Sequence, residues 1–336
     1  MSMSASMVNT APDVIEVVLG IARDVYGRVL SASRPTGKVR AGQWEFPGGK
    51  IIPGETPQAA LAREWREELG VEIEIRSRPY VVSHRYPEQM VTLHIFDDIH
   101  ICDSCPRGLE GQAIAWSPAE HLRAEDFVAG DRTVLARLQL PRLYLLSDVE
   151  RQGARTWLCG LERTLRTAPA LVQLREHGLS DSRYERLADE TEDVCRRYGA
   201  ELLFNRDPQW VARRLSGGLH LTARTLLGSA HRPLPPGRRV GASCHDATEL
   251  AHAEALGVDF ATLAPVCPTA SHPGAPAIGW EAFRRLSASV TLPIFAQGGL
   301  VRADLGQARD HGAHGLALLR GGVLMDGQDG AALLLP

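Results

Sequence analysis

The sequence predicts a two-domain α/β protein in which a mixed-sheet domain precedes a (β/α)8 barrel. The chain has 336 residues, which is about twice a common domain length. Its first part shows strand patterns with few helices, whereas from about Leu140 eight short apolar runs alternate with helical patterns. Strands and helices alternating in eight units are typical of a parallel barrel. We therefore place the two domains at residues 12–138 and 143–336.

The first domain is predicted to contain one long helix between strands. Thr56 suits the N-cap of this helix, Pro57 suits its first turn, and Gly70 suits its C-terminal stop. A loop rich in Gly and Pro at Phe46–Gly54 leads into it. The strands are predicted at Val14–Ile21, Val29–Ala32, Glu72–Ile75, Val81–His84 and Thr92–Asp97, with a closing helix at Asp131–Leu138.

The second domain is predicted to be a TIM-type barrel with its functional groups at the carboxyl ends of the strands. Helical patterns at Ser182–Tyr198, Asp246–Leu256 and Trp280–Ser287 separate several of the apolar runs. The eight runs are residues 143–148, 170–176, 200–205, 218–221, 240–244, 260–265, 293–299 and 315–321.

Composition excludes several classes of function. The formal net charge of −3 argues against a broad basic face for polymeric nucleic acid, although a nucleotide monomer needs only a local pocket. No run approaches the roughly 18 apolar residues that cross a bilayer, and the start MSMSASMVNTAPD lacks the features of a signal peptide. Six scattered cysteines do not suggest a disulfide framework. We expect a reduced, cytoplasmic protein without membrane contact; its oligomeric state is left open.

The pair Cys102-x-x-Cys105 has half the spacing of a zinc site, and His94 and His100 lie nearby in the sequence. No second pair follows at matching spacing, and the next residues have loop composition. We interpret these residues as ordinary loop cysteines.

Three carboxylates lie on one face of the long helix. Glu64, Glu67 and Glu68 are spaced i, i+3 and i+4, and like charges at these spacings repel. A hard divalent cation such as Mg²⁺ reverses that cost, because it prefers carboxylate and phosphate oxygens. The alternative is a solvated face neutralised by Arg63 and Arg66.

A longer pattern includes these carboxylates. The segment from Gly49 to Val71 fits G-x5-E-x7-R-E-U-x-E-E-x-G-U, with U apolar, at each of nine constrained positions. This is the signature of Nudix hydrolases, and the run WEFPGGKIIPGETP resembles the loop of MutT-type nucleotide hydrolases. The resemblance covers residues 12–138. It implies an α/β/α sandwich and a Mg²⁺-dependent hydrolase, with Mn²⁺ as an alternative, that converts a nucleoside triphosphate to monophosphate and pyrophosphate.

The same resemblance implies roles for individual residues. Glu64 is also a candidate base for the attacking water, Arg63 would orient the glutamates, and Glu110 matches a further acidic ligand or base. Arg34 matches an arginine that contacts the substrate phosphates. Gly48 matches a position beside the substrate. The implied metal ligands are the backbone carbonyl of Gly48 and the carboxylates of Glu64, Glu67 and Glu68.

The base pocket departs from the family pattern. Phe46 and Asp131 fall at substrate-binding positions, but MutT enzymes carry at the latter an asparagine that recognises 8-oxoguanine. A carboxylate lacks the amide donor, so Asp131 must be protonated or must bind a donor edge of the base. Val39 and Gln89 stand where the type enzyme has a His and an Arg. Tyr86 is a candidate for base stacking, although core packing is the commoner role of a strand aromatic.

The second half, from Leu143 to Gly321, resembles thiamine phosphate synthase in the runs LYLLSD, VQLRE, LLFN, GLHL, VGASCHD and QGGL. Barrels commonly bind phosphate after strands 7 and 8, so Gly298-Gly299 is a candidate anion site. The residues at pyrimidine, pyrophosphate or product-phosphate positions of the family are Gln173, Arg175, Asn205, Ser243, Thr269 and Gly299.

The barrel also departs from its family. Arg206 and Thr225 replace the two metal-binding carboxylates, and His177 and His272 replace two phosphate-binding lysines. Losing both carboxylates removes the Mg²⁺ clamp that a departing pyrophosphate needs. Synthase activity, a related thiazole-handling or small-phosphate activity, and a non-catalytic binding role are left open, and the sequence favours the last.

The leading hypothesis is an enzyme that removes oxidised nucleotides such as 8-oxo-dGTP, a nucleotide-pool sanitising function connected with DNA repair. The alternatives are hydrolysis of a thiamine-pathway pyrophosphate, a bifunctional protein with synthase activity, and a barrel that senses a thiamine-precursor phosphate.

Overall fold

The computed structural model describes residues 14–85, 89–102, 105–269, 274, 276–320 and 322–323, without the side chains of residues 83–85. The chain divides between Gln139 and Leu140 into a first and a second compact unit. None of the described helices is long and apolar enough to cross a membrane. All six cysteines are free thiols.

The first unit contains two sheets. Strand β1 pairs in parallel with β7 and antiparallel with β4, and β5 and β6 both pair antiparallel with β7. A smaller antiparallel sheet has the order β3-β2-β8. The strands are β1 (Val14–Ala22), β2 (Val29–Ser33), β3 (Trp44–Glu45), β4 (Gly48–Lys50), β5 (Ile73–Ile75), β6 (Tyr80–Arg85), β7 (Met90–Ile101) and β8 (Ile114–Ser117), and the helices are α1 (Pro57–Leu69) and α2 (Ala129–Leu138).

The two helices cover opposite faces of β1. Successive side chains of a strand point to opposite faces. Accordingly, Leu19 and Ile21 pack in one core cluster with Val134 and Leu135 of α2. Val18 and Ala22 pack in another with Ala60, Leu61, Trp65 and Leu69 of α1. This arrangement confirms the predicted α/β/α sandwich.

The ends of α1 follow the predicted capping. The Thr56 hydroxyl accepts a hydrogen bond from the Ala59 amide at 3.2 Å, and Pro57 opens the helix. Gly70 adopts the left-handed conformation (φ 67°) and its amide donates to the Arg66 carbonyl. These caps fix the start of the helix, and with it the face that carries the glutamates.

The second unit is a closed barrel of eight parallel strands in sequence order, which confirms the predicted fold. Its strands are β9 (Leu143–Leu146), β10 (Leu171–Leu174), β11 (Glu201–Phe204), β12 (Gly218–Leu221), β13 (Val240–Cys244), β14 (Phe260–Leu263), β15 (Ile294–Gln297) and β16 (Gly315–Leu318). The helices around it are α3 (Val149–Gln152), α4 (Ala154–Leu165), α5 (Asp181–Arg197), α6 (Pro208–Arg213), α7 (Ala223–Leu227), α8 (Ala247–Leu256), α9 (Gly279–Ser287) and α10 (Leu305–Asp310).

Aromatic rings fill the interior of the barrel. Tyr144 lies 5.2 Å from Phe260 and 5.8 Å from Phe295, measured between ring centroids. All three side chains are fully buried in a cluster separate from the one between the strands and the surrounding helices. The barrel is therefore packed at this level.

Candidate functional site

Arg63 connects the loop before α1 to the carboxylate face of the helix. Its Nε and Nη2 donate to the two carboxylate oxygens of Glu55 at 2.9 and 3.0 Å. Its Nη1 donates to Glu64 at 2.8 Å and to Glu67 at 3.2 Å, and Nη2 also reaches the Lys50 carbonyl. A guanidinium held in this way fixes several carboxylates at once.

Arg66 does not neutralise this face. Its Nε and Nη2 donate to the exposed Glu72 at 2.5 and 2.8 Å. The solvated-face alternative needed both arginines on the three glutamates. Of the two arginines, Arg63 contacts Glu64 and Glu67, and it does so while it is bound to Glu55 in the loop.

Two glycines bring the backbone of β4 against these carboxylates. A Cβ atom on Gly48 would lie 2.0 Å from the Val18 carbonyl oxygen, and one on Gly49 would lie 2.2 Å from Cδ of Glu64. The preceding Pro47 carbonyl accepts hydrogen bonds from the Trp65 indole and the Gly20 amide. The Gly-Gly pair therefore allows a side-chain carboxylate to lie directly on the strand.

Glu68 lies in an acidic environment. Burial, and then the negative charges of Glu64, Glu45 and Glu110, raise its pKa to about 8. The loop with Glu110 is tied to the end of α1, because the Leu109 amide and the Gln112 side chain both donate to the Glu68 carbonyl.

Lys38 and Glu45 were missed by the sequence analysis. Lys38 binds Glu110 at 2.5 Å and opposes the rise in the pKa of Glu68. Glu45, whose own pKa is raised by burial, binds Arg34 at 2.5 Å. Glu45 directly precedes the Phe-Pro-Gly-Gly loop, which was a usable signal, whereas nothing in the sequence pointed to Lys38.

The carboxylates of this site fit a divalent cation chemically, although they are not gathered around one metal position. Among the described residues, no three His, Cys, Asp or Glu side chains form a group that could hold a metal ion. Arg63 instead holds Glu64 and Glu67, and Lys38 holds Glu110. Several carboxylates repel one another here and, together with burial, raise the pKa of Glu68. A hard cation bound between them would reduce this repulsion.

The predicted base pocket contains a buried acid. Asp131 is 4% exposed, and its Oδ2 accepts a hydrogen bond from the Phe46 amide at 2.6 Å. Burial raises the pKa of Asp131 to about 8, against the lowering effect of the Phe46 hydrogen bond. The Phe46 side chain is buried in the core, with its ring centroid 5.2 Å from that of Phe127.

The other residues of the first unit that were predicted to contact substrate differ in their exposure and contacts. Arg34 donates to Glu45 and, through Nε, to the Val39 carbonyl at 2.8 Å. The Val39 side chain is exposed and Gln89 is half-buried. Tyr86 lies outside the described residues.

The barrel has a cavity of about 580 Å³ at the carboxyl ends of its strands. All six barrel residues singled out from the sequence line it, together with His177, His220, Gly298 and Arg320. The described lining contains no Asp or Glu side chain. It offers positive and neutral polar groups, which suits an anion and does not suit a carboxylate-held metal.

Arg206 and Thr225, which stand at the positions expected for metal-binding carboxylates, are not among the residues that line this cavity. Arg206 stacks on the ring of Tyr184 at 3.9 Å and lies 3.7 Å from Asp181. Thr225 is half-buried in the first turn of α7, where its amide donates to the Thr222 hydroxyl. Burial, and then the charge of Arg175, lower the pKa of His177. His272 lies outside the described residues.

Comparisons with known proteins assign each unit to a family. A NUDIX domain model matches residues 17–137, and a thiamine monophosphate synthase model matches residues 143–321. The 8-oxo-dGTP diphosphatase of Escherichia coli (strain K12) is 32% identical over 125 residues, 37% of this chain and 96% of that protein.

Two relatives match the second unit. A protein of Aquifex aeolicus (strain VF5), provisionally named thiamine-phosphate synthase 2, is 33% identical over 180 residues, 54% of this chain and 96% of that protein. A protein of Geobacter sulfurreducens, provisionally named thiamine-phosphate synthase, is 35% identical over 187 residues, 53% of this chain and 84% of that protein.

Gly49→Ala is expected to move the Glu64 carboxylate, because the added Cβ and the carboxyl carbon cannot occupy positions 2.2 Å apart. We expect nucleotide hydrolysis to fall by about 10²-fold and the free energy of unfolding to fall by about 1–3 kcal/mol. Kinetics and denaturant titration measure the two effects.

The double variant Gly49→Ala/Glu64→Ala supplies the control. Since the clash is with the Glu64 side chain, truncating that side chain should restore stability without restoring activity. A single variant with wild-type stability and turnover would contradict the close approach.

Proposed function

The chain belongs to the Nudix family through its first unit and to the thiamine monophosphate synthase family through its second, and from this premise we propose a function for each. The first unit is a Nudix hydrolase. We propose that it converts oxidised nucleoside triphosphates such as 8-oxo-dGTP to the monophosphate and pyrophosphate. The observation that carries this proposal is the set of glutamates that Arg63 holds beside Gly48-Gly49, and the 8-oxo-dGTP diphosphatase relative supports the substrate.

The proposed metal is Mg²⁺, with Mn²⁺ as an alternative. The residues that would hold it are the Gly48 carbonyl and the carboxylates of Glu64, Glu67 and Glu68. When bound, such cations neutralise charge on the diphosphate and lower the pKa of a bound water. Glu110 supplies a further carboxylate if Lys38 releases it.

The protein side chains position the substrate and move the proton. Glu64 accepts a proton from the attacking water as oxygen bonds to phosphorus and the P–O bond to the leaving pyrophosphate breaks. Arg63 keeps Glu64 in place through its bonds to Glu55 and the Lys50 carbonyl. Arg34 exchanges Glu45 for a substrate phosphate, because both are anions that accept from a guanidinium.

Glu68→Gln should lower kcat by several orders of magnitude with little loss of stability. The side chain is needed as an anion and makes no packing contribution that glutamine cannot replace. The matched control is Glu72→Gln, which removes an exposed carboxylate paired with Arg66. Activity of Glu68→Gln within about tenfold of wild type would exclude Glu68 from the metal site.

Asp131 is proposed to recognise the base as a neutral acid. With a pKa of about 8 it carries a proton at neutral pH. Its Oδ2 accepts from the Phe46 amide, and the protonated oxygen is then a donor, as an asparagine amide is. This supports the first of the two alternatives considered from the sequence.

The pH dependence of substrate preference tests this role. The donor is present below about pH 8 and is lost above it, so the wild-type preference for 8-oxo-dGTP over dGTP should fall as pH rises. In Asp131→Asn the preference should stay constant, and above pH 8 it should exceed that of wild type by roughly 1–3 kcal/mol. Asp126→Asn, at an exposed carboxylate, should behave as wild type, and parallel pH profiles in all three proteins would show that Asp131 does not recognise the base.

The second unit is proposed to bind a small phosphorylated ligand, such as a thiamine-precursor phosphate, without synthase chemistry. The carboxylate-free lining supports this proposal, because a departing pyrophosphate must be stabilised and that electrostatic contribution is commonly the largest in catalysis. Arg206 does not supply a substitute charge, since it stacks on Tyr184 outside the lining.

We therefore expect no thiamine phosphate from the purified protein with the aminopyrimidine pyrophosphate, the thiazole phosphate and Mg²⁺. Complementation of a synthase-deficient strain is the second measurement, and growth without thiamine should not be rescued. Product formation together with rescue would overturn the expectation. Binding of the thiazole phosphate without turnover would support a sensing or scaffolding function.

A further inference from the structure

Arg63 and Lys38 both hold acidic side chains of the hydrolase site, but they are attached to the protein very differently. Arg63 donates to both carboxylate oxygens of Glu55 and to the Lys50 carbonyl. The Lys38 ammonium contacts Glu110 at 2.5 Å, and among the described residues it has no second hydrogen-bond partner. An incoming cation displaces Lys38 by breaking one exposed ion pair, whereas the bonds of Arg63 form a network.

Glu110 is the fixed partner of this ion pair. Its amide donates to Oε1 of Gln112 at 2.7 Å, and Nε2 of Gln112 donates to the Glu68 carbonyl at 3.0 Å. Farther along the loop, the Ala113 amide donates to the Ser33 hydroxyl, also at 3.0 Å. The loop that carries Glu110 is therefore attached to the end of α1 and to the end of β2, so Glu110 keeps its place when its cation is exchanged.

Lys38 is the movable partner. It lies in the loop between β2 and β3, which is closed by hydrogen bonds from the Arg34 amide to the Gln43 carbonyl at 2.8 Å and from the Gly42 amide to the Arg34 carbonyl at 3.0 Å. The amide and the carbonyl of Lys38 also bond within this loop. Since the Lys38 side chain is 47% exposed, rotation about its own bonds carries the ammonium into water and leaves the backbone in place.

The ammonium of Lys38 lies in an electrostatic field that also attracts a divalent cation. The hydrogen bond to Glu110 raises the pKa of Lys38 against the lowering effect of burial, and the charges of Glu110, Glu68 and Glu45 raise it further. Carboxylate oxygens are the ligands that Mg²⁺ prefers. Two cations on the same carboxylate repel each other, so a metal ion bound to Glu110 excludes Lys38 from it.

A lysine suits this exchange better than an arginine. Of the 37 lysines and arginines in the chain, Lys38 and Lys50 are the only lysines. An ammonium is a compact point charge with rotatable donors, whereas a guanidinium holds a carboxylate through two parallel bonds. In a chain whose basic residues are nearly all arginine, the residue that faces Glu110 is therefore the one that forms the more easily exchanged ion pair.

We propose that Lys38 is a displaceable counter-ion of the hydrolase site, which competes with the divalent cation for Glu110 and so lowers the metal affinity of the protein. The cation that binds at the site releases the Lys38 ammonium into water. This role rests on the proposed function, which supplies the metal and the place of Glu110 beside it. Lys38 acts through Glu110 and is not a catalytic residue.

Binding of Mn²⁺ to the whole protein without nucleotide, followed by the electron paramagnetic resonance signal of the free ion, measures the competition. The relevant site is the one that Glu68→Gln weakens. We expect Lys38→Met to bind Mn²⁺ about fivefold tighter than wild type, which is the equivalent of an exposed ion pair. Lys38→Arg keeps the charge and should show no gain. Arg66→Met, which removes a cation of α1 that is bound to Glu72, should show none either.

A gain below about twofold in Lys38→Met, or an equal gain in Arg66→Met, would overturn the proposal. The gain should also vanish in the Glu110→Gln background, because Lys38 acts through that carboxylate. A gain of the same size there would mean general charge repulsion and would overturn the proposal as well. If the wild-type protein binds no Mn²⁺ at the Glu68 site, the metal site itself is wrong, and the role of Lys38 is wrong with it.

The displacement itself is observed with ¹³C-labelled lysine, since the chain has two lysines and gives two sets of side-chain signals. Lys38→Arg assigns them, and the exposed Lys50 is the internal reference. On titration with Mg²⁺, the Lys38 Cε signal should move toward the position it has in Glu110→Gln, where the ion pair is absent. A Lys38 signal that stays in place while the site fills with Mg²⁺ would show that the metal and the lysine bind together, which contradicts the proposal.

Discussion

The bonds of Arg63 to Glu55, Glu64 and Glu67 are the interaction on which the hydrolase site depends. They join the loop before α1 to the face of the helix, and they hold like charges together before any cation is bound. Because Gly49 has no side chain, Glu64 can lie against β4 while it is held in this way. The position of the loop, the helix and the strand is therefore defined by one guanidinium and two glycines.

The two units meet opposite electrostatic requirements. In the first, burial and then the charges of neighbouring carboxylates raise the pKa of Glu68 to about 8, and a group of carboxylates suits a cation and a phosphate chain bound together. The second lines its cavity with Arg175, Arg320 and neutral polar groups and has no described carboxylate there. This contrast is the basis for our proposal that the barrel holds an anion without stabilising a leaving pyrophosphate through a metal.

Local patterns in the sequence predicted most of the architecture. Thr56, Pro57 and Gly70 gave the ends of α1, and the run 218–221 coincides with β12. The short strands β3, β4 and β8 were missed, because two to four residues carry too little periodicity to be recognised. Within the sites, helix spacing placed the glutamates on one face, and all six barrel residues line one cavity. Three features depend on long-range packing that spacing does not encode: Lys38 on Glu110, the burial of Asp131 and the stacking of Arg206 on Tyr184.

The central claim is that the first unit cleaves nucleoside triphosphates with a metal held by the glutamates of α1. The most direct measurement is product identification and kcat/KM for the whole protein over 8-oxo-dGTP, canonical dNTPs, ADP-ribose and thiamine pyrophosphates, with and without Mg²⁺. We expect monophosphate and pyrophosphate, the highest kcat/KM with 8-oxo-dGTP, and no turnover after chelation. Release of inorganic phosphate, turnover without a divalent cation, or a preference for the thiamine pyrophosphates would contradict it.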